Sequence, residues 1–272
     1  MTTVPEWVSM WAIAIALYAC CKWLTYRDAL SRGANAGPMR GVAYLVAWPG
    51  MDAVSFLSAP PVDRPRTGEW LRAAAKFALG IALLWIAARL ATVRPSLLAG
   101  WIGMVGIVLM LHFGSFELLS LAWRRAGVEA MPVMQHPLRS ASLAEFWGRR
   151  WNTAFHELAV RFTFRPLRAA IGVPAATVLV FLLSGLIHEL VISVPAHAGY
   201  GLPTAYFVLQ AGGVVVERTR AGKALGLGGG VRGRIFTAVW AGAPAFILFP
   251  PVFVRTIVLP MLARIGALGG LS

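Results

Sequence analysis

The chain has 272 residues, of which 58% belong to the hydrophobic set and only 13% are charged, with a mean hydropathy of +0.69. That balance excludes an ordinary soluble domain and predicts an integral membrane protein, read as one helical domain over residues 1–272. A net charge of +14 would suit nucleic acid, but Lys and Arg cluster between the apolar runs, so the basic groups are read as loops facing anionic lipid or a polyphosphorylated substrate, with no nucleic-acid partner.

The N-terminal phrase MTTVPEWVSMW lacks the positive region of a signal peptide, so the first helix is expected to be retained. Trp7 to Leu24 reads as the first span, with Lys22, Arg27, Arg32 and Arg40 following it as a cytoplasmic basic loop. Cys20 and Cys21 are adjacent within this apolar run, which argues against a disulfide framework and against a metal site.

Val42 to Ala59 is apolar but interrupted by Pro49-Gly50, and is read as re-entrant or interfacial. Phe77 to Leu90 is the centre of a second span, with Arg72 and Lys76 placed to snorkel. The third, Leu97 to Trp123, carries His112 and Glu117 at a depth where neither should face lipid.

Between Arg124 and Arg168 the composition turns to arginine interleaved with tryptophan, and no apolar run there is long enough to cross. Within it, Ser142 to Asn152 reads as a basic amphipathic helix at the inner interface. Pro174 to Val194 is the next span, followed by Pro203 to Val216, a second basic loop from Glu217 to Arg234, and a last span from Ile235 to Val258. The expected fold is all-α, a polytopic transmembrane helical bundle of about 6–8 membrane helices with one re-entrant or interfacial segment.

The Pro174 to Val194 span holds the chemistry. It carries Ser184, Gly185, His188 and Glu189, and an ionisable pair in such a run is a functional-site hypothesis by default. Ser184 lies one turn before His188 on the same face, and a neutral imidazole is suited to take a proton from a hydroxyl. The bland alternative is a packing histidine. Asn152 is a candidate amide donor to an oxyanion or, equally, a helix cap. His156-Glu157 and His188-Glu189 each begin like a zinc-protease motif but lack the second His at the required spacing. Gly228 to Gly233 formally fits GxGxxG, yet with no strand before it the dinucleotide reading fails and a flexible loop is expected. His136, His156 and His197 are read as surface groups in loops.

Taken together, the phrases Tyr44 to Met51, His112-Phe113-Gly114, Pro132 to Pro137, Ser142-Leu143, Phe146-Trp147-Gly148-Arg149-Arg150-Trp151-Asn152, Ser184-Gly185 and His188-Glu189 resemble the wax synthase branch of the membrane-bound O-acyltransferase family. Phe249-Pro250-Pro251 fits the same pattern. The resemblance implies transfer of an acyl group from acyl-CoA to a hydroxylated lipophilic acceptor. It places the catalytic histidine at His188 and its polar partner at Asn152, and makes Trp147, Arg149, Arg150, Trp151, Ser184, Glu189 and His112 candidates for substrate contact. Acyl-CoA would be a co-substrate, with no resident cofactor and no metal. A competing reading is a proton-coupled transporter or flippase using His112, Glu117, His188 and Glu189, which should show paired broken helices; no second copy of the Pro49-Gly50 break occurs in a corresponding span. The Ala, Gly and Arg-rich composition points to a bacterial inner membrane.

Overall fold

The computed structural model describes residues 4–35, 37–58 and 62–268. The first three residues of the N-terminal phrase and Ala59, the end of the interrupted segment, lie outside them. Every described element is helical. In chain order these include α1 (Glu6–Ser31), α2 (Pro38–Ala47), α3 (Ala53–Leu57), α4 (Thr67–Val93), α5 (Leu97–Arg125), α6 (Thr153–Ala196) and α7 (Leu202–Arg218), followed by a broken pair, Gly230–Leu248 and Pro251–Ala267. Helix α6 is kinked at Gly172, whose φ of 79° a side chain would disfavour; Pro174 then opens the half that contains His188.

Among the described residues, four helices (α1, α4, α5 and α6) are long and apolar enough to cross a membrane, or five if the broken pair counts as one. The protein is therefore a multi-pass membrane protein with fewer spans than the 6–8 expected. The shortfall has physical causes. Helix α7 has 17 residues, about 25 Å at 1.5 Å per residue, just short of the hydrocarbon thickness. The expected last span is interrupted at Pro244 and again at Pro250, where the missing N–H groups end a helix. The Gly-rich stretch also differs from a loop, because a helix begins at Gly230.

The chain gathers into two compact units, one of residues 1–13 with 135–257 and one of residues 14–134 with 258–272. In the second unit, α2 and α3 have 10 and 5 residues, too short for either to span. The chain between them leaves carbonyls without helical partners, and side chains supply the donors. Tyr18 donates to the Trp48 carbonyl at 3.0 Å, Lys22 to that of Gly50 at 2.7 Å, and the Trp123 indole to that of Ala47 at 2.9 Å. Lys22 is thus not a loop cation. It lies inside α1, 1% exposed, with its ammonium 3.2 Å from the centre of the Tyr44 ring.

Helices α4 and α5 pack backbone to backbone through glycines. A Cβ at Gly80 would stand 2.3 Å from the Met110 nitrogen, and one at Gly106 would stand 2.7 Å from the Leu84 nitrogen. Two ion pairs clip the same helices, Lys76 with Glu117 and Arg124 with Glu69 at 2.9 Å, so Lys76 pairs instead of snorkelling. Gly80→Val is expected to destabilise the protein by about 3 kcal/mol or more, since neither backbone can retreat. Gly103→Ala, whose three nearest atoms all belong to the Leu262 side chain and not to backbone, should cost far less. Denaturant midpoints in detergent check the pair, and equal shifts would contradict the packing described.

Candidate active site

The candidate site lies in the unit that contains residues 135–257, and α7 organises it. Two carboxylates fix the ends of this helix. Glu189 Oε1 accepts hydrogen bonds from Gly201 N at 3.0 Å, Thr204 N at 3.1 Å and Thr204 Oγ1 at 2.9 Å, capping the N-terminus of α7 where the helix dipole favours negative charge. At the other end, Glu217 accepts from Leu143 N at 2.7 Å and Ala144 N at 2.9 Å. Glu189, a candidate for substrate contact, is thereby engaged in holding α7 against the His188 turn.

His188 ends the α-helical part of α6, and a π-helical segment, Glu189–Ser193, follows at once. Single π turns of this kind are frequent at functional sites. The Nδ1 atom lies 2.7 Å from the backbone carbonyl of Ser184. A carbonyl only accepts, so Nδ1 carries a proton, and in the neutral ring Nε2 carries the lone pair. The spacing of four residues brings the two together as the sequence suggests, but through the Ser184 backbone; the Ser184 hydroxyl turns back to the Val180 carbonyl at 2.9 Å.

The His188 ring packs on Phe207 of α7 with centroids 4.5 Å apart. Phe207 also meets Trp147 at 5.8 Å, and Trp147 makes an edge contact with Phe181 at 5.8 Å. The FWGRRWN phrase and His188 therefore share one aromatic ring from a third helix. Phe181, Tyr206 and Phe207 lay inside runs read only as apolar. Gln210 and Glu217 of the same run, by contrast, are polar residues that the sequence already offers, with Glu189, as lining one chamber.

The segment 142–152 is helical over residues 143–150. Ser142 Oγ caps its start, Leu143–Glu145, by accepting from Glu145 N at 3.0 Å, and the helix widens to a π form over Phe146–Arg150. Trp151 is extended and stacks on Phe146 at 5.5 Å. Asn152 takes a left-handed conformation with φ 45° and accepts from Phe155 N at 3.3 Å, so it caps α6. The helix therefore stops two residues short of the expected end, with Trp151 extended and Asn152 left-handed at the start of α6. His156 consequently stands in a helix, not in a loop.

The two arginines of the phrase separate. Arg150 Nε donates to Glu145 at 2.7 Å and its Nη1 to the Gln135 carbonyl at 3.2 Å, so its guanidinium is engaged within the fold. The Ala141 N–H, then Arg150 beside it, holds the Glu145 carboxyl below its ordinary range. Arg149 instead lines a cavity of about 410 Å³ together with Ser142, Ala144, Glu145, Gly148 and Arg218. A second cavity of about 530 Å³ is lined by Leu186, Glu189, Tyr200, Gly201, Thr204, Ala205 and Val208. Thr204 and Arg218 are fourteen residues apart on α7, about 21 Å, so the apolar cavity and the arginine cavity lie toward opposite ends of one helix. His112 lies in the other unit, on a π-helical segment of α5, packed edge-on to Phe116 at 5.3 Å with a buried Nδ1 that has no hydrogen-bond partner.

Residues 130–209 match the Membrane bound O-acyl transferase family. The chain is 32% identical over 71 residues to a Long-chain-alcohol O-fatty-acyltransferase of Simmondsia chinensis, covering 23% of this chain and 20% of that protein. It is 35% identical over 82 residues to Probable long-chain-alcohol O-fatty-acyltransferase 9 of Arabidopsis thaliana, covering 27% of this chain and 23% of that protein. The matched chain thus spans about a fifth of the length of these relatives. The resemblance seen in the sequence phrases is found independently over the segment that carries FWGRRWN and His188.

Proposed function

We propose that this chain moves an acyl group from acyl-CoA to the hydroxyl of a lipophilic alcohol, with His188 as general base. The observation that carries the reading is the His188 geometry. Its Nδ1–H is committed to the Ser184 carbonyl, which leaves Nε2 as the proton-accepting nitrogen, within the segment similar to the acyltransferase family. In the proposed step the alcohol gives its proton to Nε2 while its oxygen forms a bond to the thioester carbonyl carbon. The tetrahedral intermediate then expels the thiolate, which takes the proton back from Nε2–H, giving ester and free coenzyme A. No acyl-enzyme is needed. Asn152, whose Oδ1 caps α6, is the proposed oxyanion donor through its amide N–H.

The two cavities suit the two substrates. The one lined by Arg149 and Arg218 offers planar guanidinium donors to phosphate, whereas the one lined by Leu186, Ala205 and Val208 is apolar and suits a hydrocarbon chain. No resident cofactor is part of this proposal. The proposed location is a bacterial inner membrane, although the two curated relatives named above are plant proteins.

The test is to incubate the purified protein in detergent with radiolabelled acyl-CoA and a panel of alcohols and to follow ester and free thiol together. Formation of both in equal amounts is expected; thioester loss without ester, or neither, would remove the reading. Arg149→Ala and Arg218→Ala are each expected to raise the KM for acyl-CoA about tenfold, a typical loss for a charge-assisted phosphate contact. The same variants should leave the KM for acyl-pantetheine, which lacks the nucleotide phosphates, within twofold.

A further inference from the structure

Gln210 is a fully buried amide in the middle of α7. In an apolar bundle a buried amide is costly unless both of its ends are bonded. Both are. The Trp147 indole donates to its Oε1 at 3.3 Å, and its Nε2 donates to the Trp240 carbonyl at 3.0 Å. An indole only donates and a carbonyl only accepts, so the amide has one orientation that meets both.

The Trp240 carbonyl requires such a donor for a reason visible in the sequence. The residue four positions on, which would supply the helical N–H, is Pro244. The next carbonyl, Ala241, receives the Tyr206 hydroxyl at 2.8 Å, and the Trp240 indole donates back to the Leu209 carbonyl at 3.0 Å. Three bonds thus tie the proline break to α7. The one through Gln210 continues as a hydrogen bond to the Trp147 indole, while Tyr206 meets the same ring only edge-on at 6.5 Å; Trp147 in turn meets Phe207 and, through it, His188.

We infer that Gln210 is a positioning residue, whose amide fixes the angle of Trp147 against Phe207 and so the wall on which the His188 ring rests. The inference rests on the acyl-transfer reading above for its catalytic consequence. Its geometric part stands alone. Lys, which only donates, cannot replace the amide. A neutral His has one nitrogen of each kind and should substitute in part.

The experiment uses the full chain in detergent, labelled with 5-fluorotryptophan, with the Trp147 fluorine resonance identified by its disappearance in Trp147→Phe. In Gln210→Met, which keeps length and removes both bonds, the Trp147 resonance is expected to shift or broaden. The kcat for ester formation should fall about tenfold while the KM for acyl-CoA stays within twofold. Gln210→His should recover part of both readouts, and it keeps the inference falsifiable if Gln210→Met does not fold. In the double variant Gln210→Met, Trp147→Phe, the kcat loss should not exceed that of the worse single variant, because both remove the same bond. An unmoved Trp147 resonance in Gln210→Met overturns the inference, whether or not the wild-type protein makes ester. Multiplying losses in the double variant overturn it as well, since Gln210 would then act through the Trp240 side. If the wild-type protein makes no ester, the acyl-transfer reading falls by itself and the fluorine resonance decides whether Gln210 places Trp147.

Discussion

Replacing His188 with alanine is expected to lower ester formation by about 10²–10⁴-fold, the usual contribution of a positioned general base. A loss of about 10³-fold corresponds to about 4 kcal/mol of transition-state stabilisation. The side chain makes two kinds of contact, and two variants separate them. His188→Gln keeps a side chain of similar reach, with an amide able to donate to the Ser184 carbonyl, but has no basic nitrogen. Both variants should lose turnover to the same degree, while the denaturant midpoint moves less for His188→Gln than for His188→Ala. Size-exclusion profiles matching the wild type would show that the bundle is intact. If His188→Ala keeps turnover within twofold of wild type, no proton is taken at Nε2 and the mechanism has to be abandoned. Recovery of activity in His188→Gln alone would make the ring a packing element on Phe207.

How much of this was legible in the sequence depends on the range of the forces involved. Helices α1, α4 and α5 and the second half of α6 follow from apolar length alone, and the runs read as spans correspond to them. The start of the His188 helix at Pro174 was visible too, because proline at a first turn and glycine at Gly172 are local signals. The pairing of His188 with Ser184 came from helical spacing. The atom involved did not, because a buried serine hydroxyl satisfies itself on the carbonyl one turn back. Three features needed long-range contacts. Lys22 reads as a loop cation until the carbonyl of Gly50, 28 residues away, is seen to receive it. The helical pattern of segment 142–152 is legible, but the Glu217 carboxylate that receives its first N–H groups, 74 and 73 residues away, is not. Phe207, which joins His188 to Trp147, is indistinguishable in sequence from any other apolar residue of a span.

Glu217→Ala should release the FWGRRWN phrase from α7. The carboxylate is the acceptor for the Leu143 and Ala144 N–H groups, 74 and 73 residues away in sequence, and Leu143 itself is fully buried. Removing it leaves both donors without that acceptor, at about 1–3 kcal/mol for each buried group. Ala144 is only partly buried and water can reach its amide, so a total near 3 kcal/mol is expected. Glu217→Gln offers one carbonyl oxygen to two N–H groups and turns an NH₂ toward the other, so it should recover only part of the loss. Denaturant unfolding measures the energy, but the local consequence is more telling. Arg149 is exposed on the segment that Glu217 holds, and trypsin should cut after Arg149 or Arg150 several times faster in Glu217→Ala than in wild type. Turnover should fall with it, because Trp147 lies on the helix whose first residues, Leu143 and Ala144, are released. Protection from trypsin equal to wild type would mean that the phrase is held by its aromatic contacts alone, with the carboxylate as a bystander.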